Sequence, residues 1–156
     1  MAHGNAELGA DFRDCIQCLN DRGVAFVLVG AYAVGWHGVI RATGDIDFLY
    51  EPSRDNVARL CAALRDFGAP PALIDPEFLS SPKAVTQMGV PPIRIDLLAS
   101  ISGVSFNAVR DGADTVELAG FRLLVIGLRE LQINKRASGR AKDLDDLRRL
   151  RAVKRK

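Results

Sequence analysis

Two aspartates separated by one residue, inside an apolar run, constrain this chain more than any other feature. The run is DIDFLY, residues 45–50, and its composition predicts a β-strand. Side chains of a strand alternate between faces, so Asp45 and Asp47 project from one face while Ile46 and Phe48 project from the other. Neighbouring carboxylates repel each other, and a divalent cation bound between them removes the repulsion. The pattern therefore predicts a metal site on one face of a sheet.

A third aspartate, Asp96, lies in a second strand-like run, IRIDLL at residues 93–98. Two carboxylates on one strand and a third on a neighbouring strand are typical of a metal site for phosphoryl transfer. Other interpretations stay open from the residues alone. Asp45 and Asp47 could be carboxylates at a surface edge, or one of them could pair with Arg41. Asp96 could form a salt bridge with Arg94, which lies on the same face of the strand.

A glycine turn precedes the aspartates. Residues 24–29 predict a buried strand that ends at Gly30, and residues 31 to about 38 predict a short helix. Glycine lets phosphate oxygens approach the backbone, and free N–H groups at a helix start bind anions. Gly30-Ala31 is therefore a candidate site for the β- and γ-phosphates of a nucleoside triphosphate, although Gly30 could equally be a simple turn residue. Arg41 and Thr43 are further candidates for phosphate contact, unless Thr43 only starts the turn before the strand.

The other periodic segments predict a mixed β-sheet with helices packed on it, of the α/β (α+β) class, with a helical C-terminus. One domain would span residues 1–156, with its core at about 20–150. The segment 69–92 holds six of the seven prolines and is the least defined; it could be a substrate loop or a plain connection. The predicted helices are 11–22, 31–38, 54–67, 76–80, 107–112, 128–137 and 141–150, and the predicted strands are 24–29, 45–50, 84–87, 93–98, 115–118 and 121–125.

Composition places the chain among ordinary soluble globular proteins, with 48% hydrophobic and 26% charged residues in 156. No apolar stretch is long enough to span a bilayer, and the N-terminus has no secretory signal. Three cysteines without a framework spacing favour a reducing compartment. The expected location is therefore the cytoplasm, with no membrane partner.

Charge is unevenly distributed. Residues 135–156 carry ten Lys/Arg and three Asp, whereas residues 1–134 carry eleven Lys/Arg and sixteen Asp/Glu. A basic end beside an acidic body could meet nucleic acid or nucleotide phosphates. Within it, Lys135, Arg140 and Lys142 are candidates for phosphate contact, or could form a solvated helix face. Asp143 and Asp146 are expected to pair with basic side chains one helical turn away.

Taken together, these residues resemble a known family. Gly30-Ala31, then RATGDID at residues 41–47, then Asp96 resemble the nucleotidyltransferase fold of the polymerase-β type. The likeness is strongest to the small nucleotidyltransferase-like proteins grouped with AbiEii-type toxins, whose "K…R.KD..D" ending is similar to residues 131–147. The resemblance covers roughly residues 20–150. It implies Mg²⁺ (or Mn²⁺) at Asp45, Asp47 and Asp96, phosphate at Gly30, and nucleotide phosphates at Lys135, Arg140 and Lys142.

One position departs from that family. Its members commonly have Gly-Ser or Gly-Gly at the turn, and here the second residue is Ala31. Alanine keeps its backbone N–H but offers no hydroxyl, and it does not adopt a positive φ as cheaply as glycine. The departure therefore raises the question of whether the site is catalytically weakened.

The residues and the resemblance together predict a metal-dependent nucleotidyltransferase. It would move a nucleoside monophosphate from a nucleoside triphosphate to a hydroxyl on a protein, an RNA or a small molecule. The resemblance also implies a toxin–antitoxin or defence role, and the lack of a large substrate-recognition domain suggests a cognate partner protein. One alternative is a catalytically weak or inactive protein of this fold that binds nucleotide or nucleic acid, or acts as a partner subunit. Another is a purely structural interaction domain, which gives no reason for three converging carboxylates.

Overall fold

Six strands and seven α-helices follow one another along residues 9–40 and 44–155, the parts of the chain that this computed structural model describes. A short 3-10 turn covers Pro71–Leu73. The strands are β1 (Phe26–Val29), β2 (Asp45–Tyr50), β3 (Val85–Met88), β4 (Arg94–Leu98), β5 (Asp114–Leu118) and β6 (Phe121–Val125). The helices are α1 (Ala10–Asp21), α2 (Gly30–Trp36), α3 (Arg54–Phe67), α4 (Pro76–Leu79), α5 (Phe106–Asp111), α6 (Leu128–Ser138) and α7 (Ala141–Ala152).

The strands form one mixed sheet in the order β3-β4-β2-β1-β6-β5. At its centre, β2 runs antiparallel to β1 and parallel to β4. β1 is parallel to β6, and the two outer pairs, β3–β4 and β5–β6, are antiparallel. The predicted fold class, a mixed sheet with packed helices and a helical C-terminus, is confirmed. None of the described helices is long and apolar enough to cross a membrane.

The helices α1 and α3 pack against each other and bury the apolar stripes that their sequences show. Burying one such side chain fully contributes about 1.5–3 kcal/mol. Ser53 begins α3 by accepting a hydrogen bond from the Asn56 N–H, and Gly68 ends it in the left-handed conformation, with φ 87°. The stripes consist of Phe12, Cys15, Ile16 and Leu19 on α1, and Val57, Leu60, Cys61 and Leu64 on α3.

The first strand begins two residues later than predicted. The Val24 N–H donates to the carbonyl of Leu19, 3.0 Å away, and so belongs to the end of α1. The Asn56 side chain then bonds both backbone groups of Ala25, with its Oδ1 at 2.7 Å from the N–H and its Nδ2 at 3.0 Å from the carbonyl. The sheet pairing with β2 therefore starts at Phe26.

Most turn signals in the sequence correspond to the observed chain. Ala119 and Gly120 both have positive φ, 52° and 85°, as a two-residue hairpin turn between β5 and β6 requires. In the proline-rich segment, α4 and β3 lie within one residue of their predicted positions. At the C-terminal end, Arg155 donates to the carbonyl of His37 at 3.0 Å, which ties the chain after α7 to the end of α2.

Candidate metal and nucleotide site

The three predicted carboxylates meet on one face of the sheet. In the parallel pairing of β2 with β4, Asp47 lies opposite Asp96, and Asp45 lies opposite Arg94. One carboxylate oxygen from each of Asp45, Asp47 and Asp96 lies within 4.8 Å of the other two. The alternation along β2 is as expected, because Ile46 and Phe48 are fully buried while the two aspartates are only partly buried. These three residues are called the acidic triad below.

The carboxylates of the acidic triad repel one another. Burial, together with the neighbouring charges of Asp45 and Asp96, raises the pKa of Asp47 from its ordinary value of 3.8 to about 7. The side chain of Asp96 is itself buried, with 6% of its surface exposed. The site therefore places negative charge where an apolar neighbourhood disfavours it, which is the arrangement that a bound cation stabilises.

An arginine bridges two members of the triad. The Arg94 guanidinium donates from Nε to Asp96 Oδ1 at 3.0 Å, and from Nη2 to Asp45 Oδ2 at 3.0 Å and Asp96 Oδ2 at 3.2 Å. The salt bridge that was the alternative interpretation of Asp96 is therefore present. It coexists with the convergence of the carboxylates.

The glycine turn lies directly against the triad. Gly30 has φ +73°, and Val29 pairs with Asp47 across β1 and β2. A Cβ on residue 30 would lie 2.0 Å from Asp47 Oδ2 and 3.0 Å from Asp47 Cβ. The absence of a side chain at Gly30 is what leaves room for the Asp47 carboxylate.

Ala31 raises no backbone problem at this turn. Among the described residues other than glycine, only Ala119 has a positive φ, so residue 31 adopts an ordinary conformation. The missing hydroxyl is the real difference from the Gly-Ser pattern. Because α2 has only seven residues, phosphate binding here would rely on individual backbone N–H groups more than on a helix dipole.

A cleft of about 360 Å³ joins the triad to the C-terminal helices. One side is formed by the glycine turn and the ends of β2 and β4, and the other by α6 and the start of α7. The predicted residues Gly30, Lys135, Arg140 and Lys142 all line it. Arg140 and Lys142 are exposed at its edge. Sequence reasoning did not single out seven other lining residues, which are Val29, Gln87, Leu98, Ile101, Ser102, Asn134 and Ser138.

Lys135 differs from the other two basic residues because it is buried, with 6% exposed. Its Nζ lies 3.2 Å from Asp143 Oδ1 and 3.1 Å from Asp146 Oδ2. Burial alone would raise the pKa of Asp143, but hydrogen bonds from Ser138, Arg140 and Lys135 hold it at about 2. The pairing expected one helical turn away is present for Asp143, with Arg140, whereas Asp146 pairs with Lys135 of the preceding helix. Lys135 is part of that ion cluster, so its charge is already compensated within the protein.

The remaining sequence candidates, Arg41 and Thr43, lie outside the described residues. His37, at the end of α2, forms a hydrogen bond through its Nε2 to the carbonyl oxygen of Ile126 at 2.7 Å. Of the lining residues that the sequence did not reveal, Gln87 lies opposite Asp96 in the β3–β4 pairing, on the same face of the sheet, and no local signal shows this register.

Comparison with known proteins agrees with this geometry. Residues 9–156 match the family described as "Nucleotidyl transferase of unknown function (DUF2204)". The chain belongs to this family. The described fold is similar to the crystal structure of a candidate nucleotidyltransferase from Thermotoga maritima, with a TM-score of 0.53 and 16% identity over 90% of this chain and 88% of that chain. At that identity the likeness shows the fold alone. No curated protein matches the chain, and the likeness to AbiEii-type toxins in particular stays a prediction.

Replacing Gly30 by alanine should damage both stability and the acidic triad of this family member. The positive φ costs about 1–2 kcal/mol for a non-glycine residue, and the new Cβ forces the Asp47 side chain to move. We expect a loss of roughly 2–3 kcal/mol in the free energy of unfolding, measured by urea denaturation, together with weaker Mn²⁺ binding.

Gly23→Ala is the matched control for this change. Gly23 has φ +68°, but a Cβ there would meet nothing within 4 Å. It should therefore show the conformational cost alone and leave Mn²⁺ binding unchanged. Equal losses of stability in the two variants, with metal binding intact in both, would contradict the close packing of Gly30 on Asp47.

The raised pKa of Asp47 predicts a pH dependence of stability. Because the pKa of Asp47 is raised from 3.8 to about 7, the native protein binds an extra proton between pH 3.8 and about pH 7. This protonation stabilises the fold at low pH, and the stabilisation is lost as pH rises through about 7. Asparagine has no such titration. In metal-free buffer, Asp47→Asn should be more stable than the wild type at pH 8 by on the order of 2 kcal/mol, and the difference should vanish near pH 4. Identical urea midpoints of the wild type and Asp47→Asn at pH 8 would show that the charge of Asp47 does not destabilise the fold.

Proposed function

We propose that the protein is a metal-dependent nucleotidyltransferase that moves a nucleoside monophosphate from a nucleoside triphosphate to a hydroxyl on a protein, an RNA or a small molecule. One observation carries the proposal. Three carboxylates with oxygens within 4.8 Å of one another lie beside a glycine turn, in a cleft whose far side is basic. Membership of a nucleotidyl transferase family supports the reaction class.

The donor set fits Mg²⁺ or Mn²⁺. All three candidate ligands are carboxylates, the hard oxygen donors that these ions prefer. The raised pKa of Asp47 marks a site whose charges are not balanced by protein groups alone. A divalent cation bound by Asp45, Asp47 and Asp96 would neutralise phosphate charge and polarise the phosphoryl oxygens.

The chain's own residues would position the donor. Backbone N–H groups at Gly30 and Ala31 can bind phosphate oxygens without interference from a side chain, because residue 30 is glycine. Arg140 and Lys142, exposed at the edge of the cleft, would balance the remaining charge of the triphosphate. Arg41 and Thr43 stay candidates for the same task.

The transfer itself needs a base near the acceptor. The acceptor hydroxyl oxygen would form a bond to the α-phosphorus while the bond from that phosphorus to the β-bridging oxygen breaks and pyrophosphate leaves. Asp96 is the proposed group that takes the hydroxyl proton, since it lies on β4 opposite Gln87 of the edge strand β3. The buried Lys135 would act indirectly, by holding α6 and α7 in place.

A second function is favoured by two observations. The Arg94 guanidinium already pairs with Asp45 and Asp96, and Ala31 offers no hydroxyl to a phosphate. Both would suit a protein of this fold that binds nucleotide or nucleic acid, or serves as a partner subunit, without transferring a nucleotide. A toxin–antitoxin or defence role and a cognate partner protein stay predictions under either function.

The position of an isotope label in the nucleoside triphosphate distinguishes the two functions experimentally. The protein is incubated with Mg²⁺ and each nucleoside triphosphate labelled at either the α- or the γ-phosphate, with total RNA or a protein extract as the acceptor pool. We expect α-label in the acceptor and release of pyrophosphate, and neither with Asp47→Asn. Transfer of γ-label would contradict the proposal by showing a kinase. Triphosphate binding without pyrophosphate release would favour the second function.

A further inference from the structure

We propose that Arg94 is an internal counter-ion of the acidic triad: it competes with the divalent cation for Asp45 and Asp96 and turns to the triphosphate when the donor binds. The proposal rests on the proposed function, because it concerns the same site. It adds a role for a residue outside the predicted ligand set, and it makes metal binding and nucleotide binding depend on each other.

The competition follows from the atoms involved. Arg94 occupies Asp45 Oδ2 and both carboxylate oxygens of Asp96, at 3.0–3.2 Å. A metal ion bound by Asp45 and Asp96 would use the same two carboxylates. A cation bound by these carboxylates would therefore lie close to a guanidinium of like charge, and the electrostatic repulsion lowers the affinity for the metal.

The backbone prevents Arg94 from leaving the site. Arg94 lies in β4, two residues before Asp96, and the strand register fixes it opposite Asp45. Only its long side chain can move, and that side chain is 31% exposed and lines the cleft. The cleft is the space that the donor's phosphates would enter.

A triphosphate offers Arg94 phosphate oxygens in place of the carboxylate oxygens that a metal ion would take. The guanidinium fork binds phosphate and carboxylate with the same two-pronged geometry. Lys135, another cation of the cleft, is buried and pairs with Asp143 and Asp146 at 3.2 and 3.1 Å, so it does not turn to phosphate. When Arg94 turns to phosphate, Asp45 and Asp96 become available to the metal, so each ligand should strengthen the binding of the other.

The test measures binding of Mn²⁺ alone, by the electron paramagnetic resonance signal of the free ion, and then binding of Mg·ATP by calorimetry. We expect Arg94→Gln to bind Mn²⁺ about tenfold more tightly than the wild type, and to bind Mg·ATP more weakly. Arg122→Gln is the matched control. It makes the same charge change at an exposed position of β6 outside the cleft, and should leave both affinities unchanged.

The opposite signs of the two effects distinguish this role from a structural one, because a misfolded variant would lose both affinities. Arg94→Lys keeps the charge without the fork; it should bind Mn²⁺ like the wild type and Mg·ATP more weakly. Equal Mn²⁺ affinity in the wild type and Arg94→Gln would overturn the inference and leave the proposed function standing. Absence of Mn²⁺ binding in both proteins would overturn the metal site itself, and the inference with it.

Discussion

Asp47→Asn should weaken Mn²⁺ binding by at least about a hundredfold. Asp47 lies between the other two carboxylates of the triad, opposite Asp96 on β4 and two residues from Asp45 on β2. Asparagine keeps the size of the side chain but removes the negative charge and one strong oxygen ligand. Calorimetric titration of Mn²⁺ into the nucleotide-free protein measures the effect.

Two features make this result specific to the metal site. The same substitution should stabilise the metal-free fold at pH 8, so a loss of binding does not come from unfolding. Asp114→Asn, at an exposed position of β5, removes the same charge far from the triad and should leave the affinity unchanged. Wild-type affinity in Asp47→Asn would mean that the converging carboxylates do not bind the ion.

Lys135→Met should destabilise the protein by about 3–5 kcal/mol, the usual cost of breaking a buried ion pair from one side. Methionine fills a similar volume but leaves Asp143 and Asp146 buried without the ammonium that they share. The cluster joins α6 to α7. We therefore expect a lower free energy of unfolding in urea denaturation, and faster hydrogen exchange of the backbone amides in both helices.

Lys142→Met separates this structural role from phosphate binding. Lys142 is an exposed lysine in the first turn of α7 that lines the same cleft. Its substitution should change the free energy of unfolding by less than about 0.5 kcal/mol while it weakens Mg·ATP binding. If Lys135→Met were as stable as Lys142→Met and lost only nucleotide affinity, Lys135 would be a phosphate ligand, as the sequence alone suggests.

The local part of the structure could be predicted because the signals are local. The bounds of β2 follow from an alternating run of six residues, and Ser53 and Gly68 mark both ends of α3. The hairpin turn at Ala119-Gly120 follows from turn chemistry. Strand alternation also places Asp45 and Asp47 on one face of β2, whereas their convergence with Asp96 depends on the pairing of β4 with β2.

The other half of the site depends on contacts between distant segments, which periodicity does not encode. Nothing local shows that Arg94 faces Asp45, 49 positions away in sequence, until β4 pairs in parallel with β2 in one register. Burial of Lys135 likewise depends on how α7 packs on α6. In sequence, Lys135, Arg140 and Lys142 are three similar cations of one basic segment. In the fold, Lys135 is buried in an ion cluster, whereas Arg140 and Lys142 are exposed at the cleft.

We expect the acidic triad and the basic cleft to bind a metal–nucleotide complex together. The most direct test is calorimetric titration of ATP, GTP, CTP and UTP with and without Mg²⁺, using Asp45→Ala/Asp47→Ala as the control. At least one triphosphate should bind only with Mg²⁺, and this binding should disappear in the control. Triphosphate binding of equal strength without Mg²⁺, or in the doubly substituted protein, would contradict this expectation.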